Sequence, residues 1–484
     1  MTFVSDLEPK ALWRHFDRIL TIPRGSKNEE AMRRYVLSVA DACKLPSRGD
    51  AAGNVVISVP ASPGMEGAAP TILQAHLDMV NEKNSDVVHD FEKDALVPRM
   101  DGEFLKASGT TLGSDNGIGV AAMLAIAESK ELVHGPLELL FTIDEETGLT
   151  GATMVDATLL SGRRLINLDS EEEGTLTVGC AGGAGNNLSL PIEKEPPVPG
   201  ATAVEVVVAG LKGGHSGVDI HLQRANALKV LARALHVATE VAPLRLAAIA
   251  GGDKHNAIPR EARAVVVVGA AARESFRAAV AKEIEAMALE VKPADPGLRY
   301  ELADVALPDR VWTEAVTRRA LSLLDALPHG VLVMSYDIPG LVETSTNLAV
   351  VAERDSALVI HMSNRSSVMS ALRGVQARMR AYGELAGAAV ETLDGYPGWK
   401  PNLGSPLLAI VKRVHERVLG FPAQVGAIHA GLECGIIGEK IEGMDMISFG
   451  PTIQFPHSPD ERVHVASVGR FWNLLVEVIR ELGA

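Results

Sequence analysis

Residues 141–148 read FTIDEETG, and this stretch restricts the possible fold more than any other. The apolar run 137–143 ends abruptly in three consecutive acids, Asp144, Glu145 and Glu146. Buried strands do not normally end in stacked like charges, because each carboxylate raises the cost of ionising the next. A positive partner belongs there. A pair of metal ions, with one glutamate acting as a base beside them, meets that need.

Two further apolar runs end in the same manner. Residues 71–80, TILQAHLDMV, place His76 and Asp78 two positions apart near a strand's end, and so on one side of it. Residues 164–168, RLINL, run into Asp169. Residues 109–129 read as a Gly-rich turn and then a helix, with Asp115 in the turn. The free N–H groups and positive dipole end of that helix favour an acid there. Strand alternating with helix predicts an α/β fold with a mostly parallel sheet and helices on both faces. In such sheets the carboxyl ends of the strands form the ligand crevice.

A chain of 484 residues is long for one core, and two domains are expected. Residues 5–45 look helical, and Ser26 followed by Glu29 resembles a capping box opening the second helix. Composition shifts near 185–200. From there to about 390 the chain is rich in Val and Ala, with helices expected at 226–240, 276–289 and 309–327. A Pro/Gly boundary follows at 394–402. From Ser405 the earlier pattern returns: a helix at 406–418, His429 and Glu433 in IHAGLECG, His457 in PTIQFPHSPDERV, and a last helix from Val465. The expected organisation is one catalytic domain in two parts, 1–190 and 395–484, interrupted by an α+β lid domain at 191–394.

Charge and composition exclude several classes of function. A net charge of −15 disfavours nucleic acid and anionic membrane as partners and suits a site that gathers cations. Cys43, Cys180 and Cys434 are too few and too scattered for a disulfide framework. The N-terminus lacks the pattern of a signal peptide, and no stretch is long and apolar enough to span a membrane. The expected compartment is the cytoplasm. The glycines of LGSDNGIG are not followed by Lys-Ser/Thr, so they do not form a P-loop.

A two-metal hydrolase needs a shared carboxylate, terminal ligands and room for a water. Zinc accepts His nitrogen and Asp/Glu oxygen. His76 and Asp169 can hold one ion and Glu146 and His457 the other, with Asp115 bridging. Asp78 is then free to accept a hydrogen bond from the His76 ring and fix its tautomer. Glu145 is free to take a proton from the attacking water and deliver it to the leaving amine.

The series HLDMV, LGSDNGIG, TIDEETG, NLDSEEEG, GGHSGVDIH and HSPDERV resembles the M20 metallopeptidases, and within them the branch of aminoacyl-histidine dipeptidases. Matches at VVHDFEKD, VHGPLELL, LVETSTNL, DGYPGWKP and IHAGLECG extend the similarity over essentially the whole chain. The resemblance implies two zinc ions per subunit, replaceable by manganese or cobalt, on His76, Asp115, Glu146, Asp169 and His457, with Asp115 bridging. It implies Asp78 as the orienting acid, Glu145 as the general base, and His215 of GGHSG as a stabiliser of the oxyanion. The implied reaction is hydrolysis of unblocked dipeptides, Xaa-His types included. The implied assembly is a homodimer through the lid. Asn256 in HNAIPRE is a candidate substrate contact. Arg365 in MSNRSS is another, because a guanidinium pairs bidentately with a carboxylate. His429 and Glu433 are candidates for the free amino group. Two alternatives stay open within the superfamily, an N-acyl-amino-acid deacylase and an aminopeptidase. A non-catalytic protein of this fold would be expected to have lost a ligand or the base.

Overall fold

The computed structural model describes residues 2–484. Residues 2–180, Trp399–Ala427 and Leu432–Ala484 form one unit, and Ala181–Gly398 with Ile428–Gly431 form another.

The first unit is built on an eight-stranded sheet. Its four central strands are Leu137–Thr142, Thr71–His76, Arg164–Asn167 and Asp445–Ser448, side by side in that order and all parallel. Val55–Val59 joins one side antiparallel. The central strands are almost wholly buried, as expected where helices cover both faces of a parallel sheet. Because the four strands share a direction, His76, Thr142, Asn167 and Ser448 all end them along one edge. A four-stranded antiparallel sheet, Ile453–Gln454, Arg462–His464, Phe104–Ala107 and Pro98–Asp101, carries the hairpin loop that holds His457. Phe455 and His457 take φ of 55° and 58° in that loop, left-handed values that fold it tightly.

Several local expectations change. The helix after the first turn begins at Glu30, but Ser26 and Glu29 form no capping box. Ser26 Oγ donates instead to Asp78 at 2.7 Å, and Glu29 accepts from the backbone N–H of Asp144 at 3.0 Å. Asp115 stands in the first turn of the helix Ser114–Glu128, as expected, but its carboxylate does not cap the free N–H groups there. That role belongs to Glu461, whose carboxylate accepts from the backbone N–H groups of Leu112, Gly113 and Ser114 at 2.8, 3.0 and 2.7 Å. Glu461 meets the free N–H groups, which leaves the Asp115 carboxylate to other partners.

The second unit is a nine-stranded antiparallel sheet. The helices Ala227–Ala238, Arg273–Val291, Glu314–Ala326 and Met369–Ala386 share one apolar core with it, where Leu231, Val266, Phe276, Leu324, Ile360 and Met379 are all buried. Asn226 caps the first of these helices and Thr313 the third, as their side chains prefer. All three cysteines are free, and no described helix is long and apolar enough to cross a membrane.

Candidate active site

At the carboxyl ends of the parallel strands, five of the expected ligands converge. The His76 Nε2 lies 3.0 Å from Asp115 Oδ1 and 3.1 Å from Asp169 Oδ1. The His457 Nε2 lies 3.2 Å from Asp115 Oδ2 and 3.0 Å from Glu146 Oε2. Each trio offers ligand atoms within 4.8 Å of one another, and Asp115 belongs to both, one oxygen to each. The donor set is imidazole nitrogen and carboxylate oxygen, which suits zinc and related divalent ions. Glu146 Oε1 is buried without a hydrogen-bond partner, an atom that a cation would satisfy. Hydrogen bonds to Asp115 and Glu146 push the His457 imidazole up to about 11. Burial lowers His76, yet Asp169, Asp115 and Asp78 outweigh it and raise the ring well above the usual histidine range. The residues fit a pair of ions.

Glu145 joins the same group, its carboxylate within 4.8 Å of ligand atoms of His76 and Glu146. Adjacent residues on a strand would face opposite ways. The strand therefore stops at Thr142, and Asp144 turns the chain with φ 48° and ψ 49°. A single helical turn, Glu145–Gly148, then presents both glutamates to one side. Asp144 had no expected task. It is the pivot: its carboxylate accepts the hydroxyls of Thr147 and Thr150, closing the turn. Burial, with Asp169, Glu146 and Glu433 nearby, drives the Glu145 carboxyl well above its usual range.

Asp78 is fully buried beside His76, its Oδ1 3.3 Å from the ring Nδ1. The same carboxylate accepts the backbone N–H groups of Glu145 and Glu146 at 3.0 and 3.2 Å. Sequence reasoning missed its neighbours. Ser26, Glu29, Arg24 and Glu461 all hold parts of the site, and Asn116 donates to Asp169. The segment 24–29 was legible only as a helix start. Of the acidic run after Asp169, Glu173 pairs with Arg470. Glu171 is half-buried, and burial with Asp115 and Asp169 nearby pushes it up to about 8.

Glu433 is fully buried in the same unit. One of its oxygens accepts from Gln74 Nε2 at 2.6 Å and Thr142 Oγ1 at 2.7 Å, while Oε1 has no partner. The Gln74 carbonyl accepts from Asn167 at 2.6 Å, and Asn167 in turn accepts from the backbone N–H of Asp169 at 3.2 Å. A polar chain thus ties three parallel strands to one metal-ligand candidate.

The second unit carries its own polar group. His215 Nδ1 accepts the backbone N–H groups of Gly217 and Val218 at 3.3 and 3.0 Å, which assigns the ring proton to Nε2. That N–H stands 3.4 Å from Arg365 Nη2. Two donors cannot bond each other, so together they present a place for an acceptor. Burial and the Arg365 charge bring His215 down to about 4, which keeps it neutral. Arg365 also donates to Tyr396 Oη at 2.9 Å, and its Nε is buried without a partner. His429 shares a 2.7 Å hydrogen bond with Ser345. Asn256 is exposed, and its backbone carbonyl accepts from Ser216 at 2.8 Å.

The chain is 42% identical over its whole length to the full cytosol non-specific dipeptidase of Escherichia coli K12. It is 41% identical to the aminoacylhistidine dipeptidase of Vibrio alginolyticus, whose crystal structure superposes with a TM-score of 0.92 over 99% of this chain and 98% of that one. The aminopeptidase PepT of Bacillus cereus, 15% identical with a TM-score of 0.57 over 99% of this chain and all of that one, shares the fold. The family model for peptidases M20/M25/M40 matches residues 72–481, a span that opens just before His76 and closes beyond His457. With that match and the full-length identity, the chain belongs to the M20/M25/M40 peptidase family.

Proposed function

We propose that this chain is a metal-dependent dipeptidase acting on unblocked dipeptides, Xaa-His dipeptides among them. The observation that carries this reading is the pair of ligand trios sharing Asp115, with Glu145 beside them. Two bound divalent ions, zinc in this proposal with manganese or cobalt as substitutes, would polarise the scissile carbonyl and acidify a water. His76, Asp115 and Asp169 would hold one ion, and Asp115, Glu146 and His457 the other. Glu145 takes the proton from the attacking water and passes it to the leaving amine. Its buried, carboxylate-crowded setting favours holding that proton. Asp78 keeps the His76 ring in one tautomer and steadies the glutamate turn.

From the second unit, His215 is the proposed donor to the developing oxyanion, supported by its neutral state and Nε2 proton. Arg365 is the proposed partner of the substrate carboxylate, supported by its unpartnered Nε. Asn256, His429 and Glu433 are further proposed substrate contacts. The second unit is proposed as lid and homodimer contact, and the compartment as the cytoplasm. The relatives' names, a dipeptidase called cytosolic and an aminoacylhistidine dipeptidase, support the substrate class and compartment.

The test is a panel of β-alanyl-histidine, a second unblocked dipeptide, a tripeptide and an acetylated amino acid, with protein of measured metal content. Turnover confined to the dipeptides is expected. Faster release of acetate would make the chain a deacylase, and preferred cleavage of the tripeptide would make it an aminopeptidase.

A further inference from the structure

Arg24 is 2% exposed. Its guanidinium donates to backbone carbonyls: Nη1 to Leu77 O at 2.9 Å and Asp78 O at 2.6 Å, and Nη2 to Gly113 O. Among the described residues it forms no ion pair with a carboxylate. Burying a charge without direct pairing is costly, so the contacts that Arg24 makes have to repay it.

Those contacts have a pattern. Leu77 and Asp78 follow His76 directly, and Gly113 lies two residues before Asp115. One planar fork therefore joins the segment that delivers His76 to the segment that delivers Asp115, the ligand both trios share. The room for it is made by glycine. A Cβ on Gly113, which has φ +67°, would fall 2.5 Å from Nη2, and one on Gly117 would fall 2.8 Å from the same atom. Two glycines of the LGSDNGIG motif thus have a packing reason to lack side chains. The main chain reinforces the join, since Arg24 O accepts from Met79 N at 3.1 Å. Two residues on, Ser26 holds the Asp78 carboxylate. Burial pulls Arg24 towards its neutral form, while the charges of Glu461, Asp78, Asp115 and Glu146 oppose that loss.

We propose that Arg24 is a positioning residue that locks the loop after His76 to the loop before Asp115, and so sets the spacing of His76 from the carboxylate that the two trios share. This rests on the reading of the site as metal-dependent, deepens it, and assigns Arg24 no contact with substrate.

Electrostatics and positioning make opposite predictions. A buried positive charge near two cation sites repels the cations, so if charge were its whole effect, removing it would tighten metal binding. If the fork sets the spacing, removing it loosens metal binding although the repulsion is gone. Lysine keeps the charge but, as a compact ammonium on a flexible stem, lacks the planar fork.

The experiment is titration of Co2+ into chelator-stripped parent, Arg24→Met and Arg24→Lys proteins, followed by the visible cobalt spectrum, with thermal midpoints recorded alongside. Both variants are expected to bind the weaker of the two ions about 10–100-fold less tightly, the usual size for a residue that orients a ligand. Both are also expected to show an altered spectrum. When saturated with metal they should lose kcat while KM for a dipeptide stays within about twofold, as for an interaction felt by the reaction and not by substrate binding. Tighter or unchanged binding by Arg24→Met, or parent-like affinity and spectrum in Arg24→Lys, overturns the proposal. If Arg24→Met does not fold, Arg24→Lys alone decides. Failure of the parent itself to bind cobalt would overturn the metal-dependent reading, an outcome separate from parent-like binding by the variants.

Discussion

The backbone N–H of Glu145 donates to the Asp78 carboxylate at 3.0 Å. The next N–H, of Glu146, reaches the other Asp78 oxygen at 3.2 Å, and the His76 ring stands 3.3 Å from the first. One buried acid therefore positions a ligand, the main chain of a second ligand and the main chain of the proposed base. Burial works against its charge, but the hydrogen bond and charge of His76, then Ser26 and the Glu145 N–H, bring it down to about 2. The carboxylate is ionised at any pH where the protein would work.

Asp78→Asn tests that convergence. The amide has one acceptor oxygen, and its NH2 group would face a main-chain donor, so at least one contact becomes a clash of donors. We expect kcat to fall about 10–100-fold and metal affinity to weaken by a similar factor, the scale for partners that orient metal ligands. Metal content by atomic spectroscopy and steady-state kinetics check both. A variant with parent-like metal content and kcat would mean that His76 and the turn need no such partner.

Glu145→Gln separates base from ligand. The glutamine keeps the size of the side chain and cannot take a proton. Metal content should be unchanged, with kcat down roughly 10²–10⁴-fold, the usual range for a general base. Loss of metal instead would reassign Glu145 as a ligand, and near-normal turnover would remove its catalytic role.

The metal-ligand candidates were legible because their chemistry shows in residue type. His76, Asp115, Glu146 and Asp169 end or interrupt apolar or glycine-rich stretches, where charge is out of place without a partner, whereas His457 stands in a proline-flanked loop. The parallel core was legible because its strands are rich in apolar residues, as strands buried on both faces are. What supports the ligands left little trace. Glu461 caps a helix that begins 347 residues earlier in the chain, and no local pattern announces such a pairing. Arg24 spends its donors on carbonyls, which every residue has. Ser26 and Glu29 have the spacing of a capping box, and tertiary partners outcompeted that local bond.

Asp144 should matter for stability as well as for geometry. It is 4% exposed, holds a left-handed backbone, and accepts two threonine hydroxyls. Asp144→Ala loses both bonds and leaves a Cβ in a conformation that alanine adopts poorly. The expected cost is about 2–4 kcal/mol by urea unfolding of the metal-loaded protein. Asn tolerates the left-handed region and can still accept from one threonine, so Asp144→Asn should cost less than half as much. Equal losses in the two variants would show that neither backbone conformation nor acceptor count governs this turn.

The ion-free and ion-loaded proteins should differ most in alkali. In the ion-free chain Asp115 and Glu146 raise His457 to about 11, whereas an unfolded imidazole titrates near 6.5. Between those values the folded chain keeps a proton that the unfolded chain has released. The resulting stabilisation is full below about pH 6.5 and is lost as pH rises towards 11. Glu145, also raised, adds loss in the same direction. On the acid side the sign reverses: burial, then Arg365, hold His429 down to about 3, so its contribution is present above 6.5 and is lost as pH falls. Ions would displace the His457 proton, so the alkaline decline should be steeper in the stripped protein. Thermal midpoints from about pH 6 to 10, with chelator and with saturating zinc, should therefore diverge as pH rises. His457→Gln should flatten the alkaline limb of the stripped protein, because a glutamine has no proton to lose. Parallel limbs with and without zinc would mean that the His457 proton and the second ion do not compete for the same carboxylates.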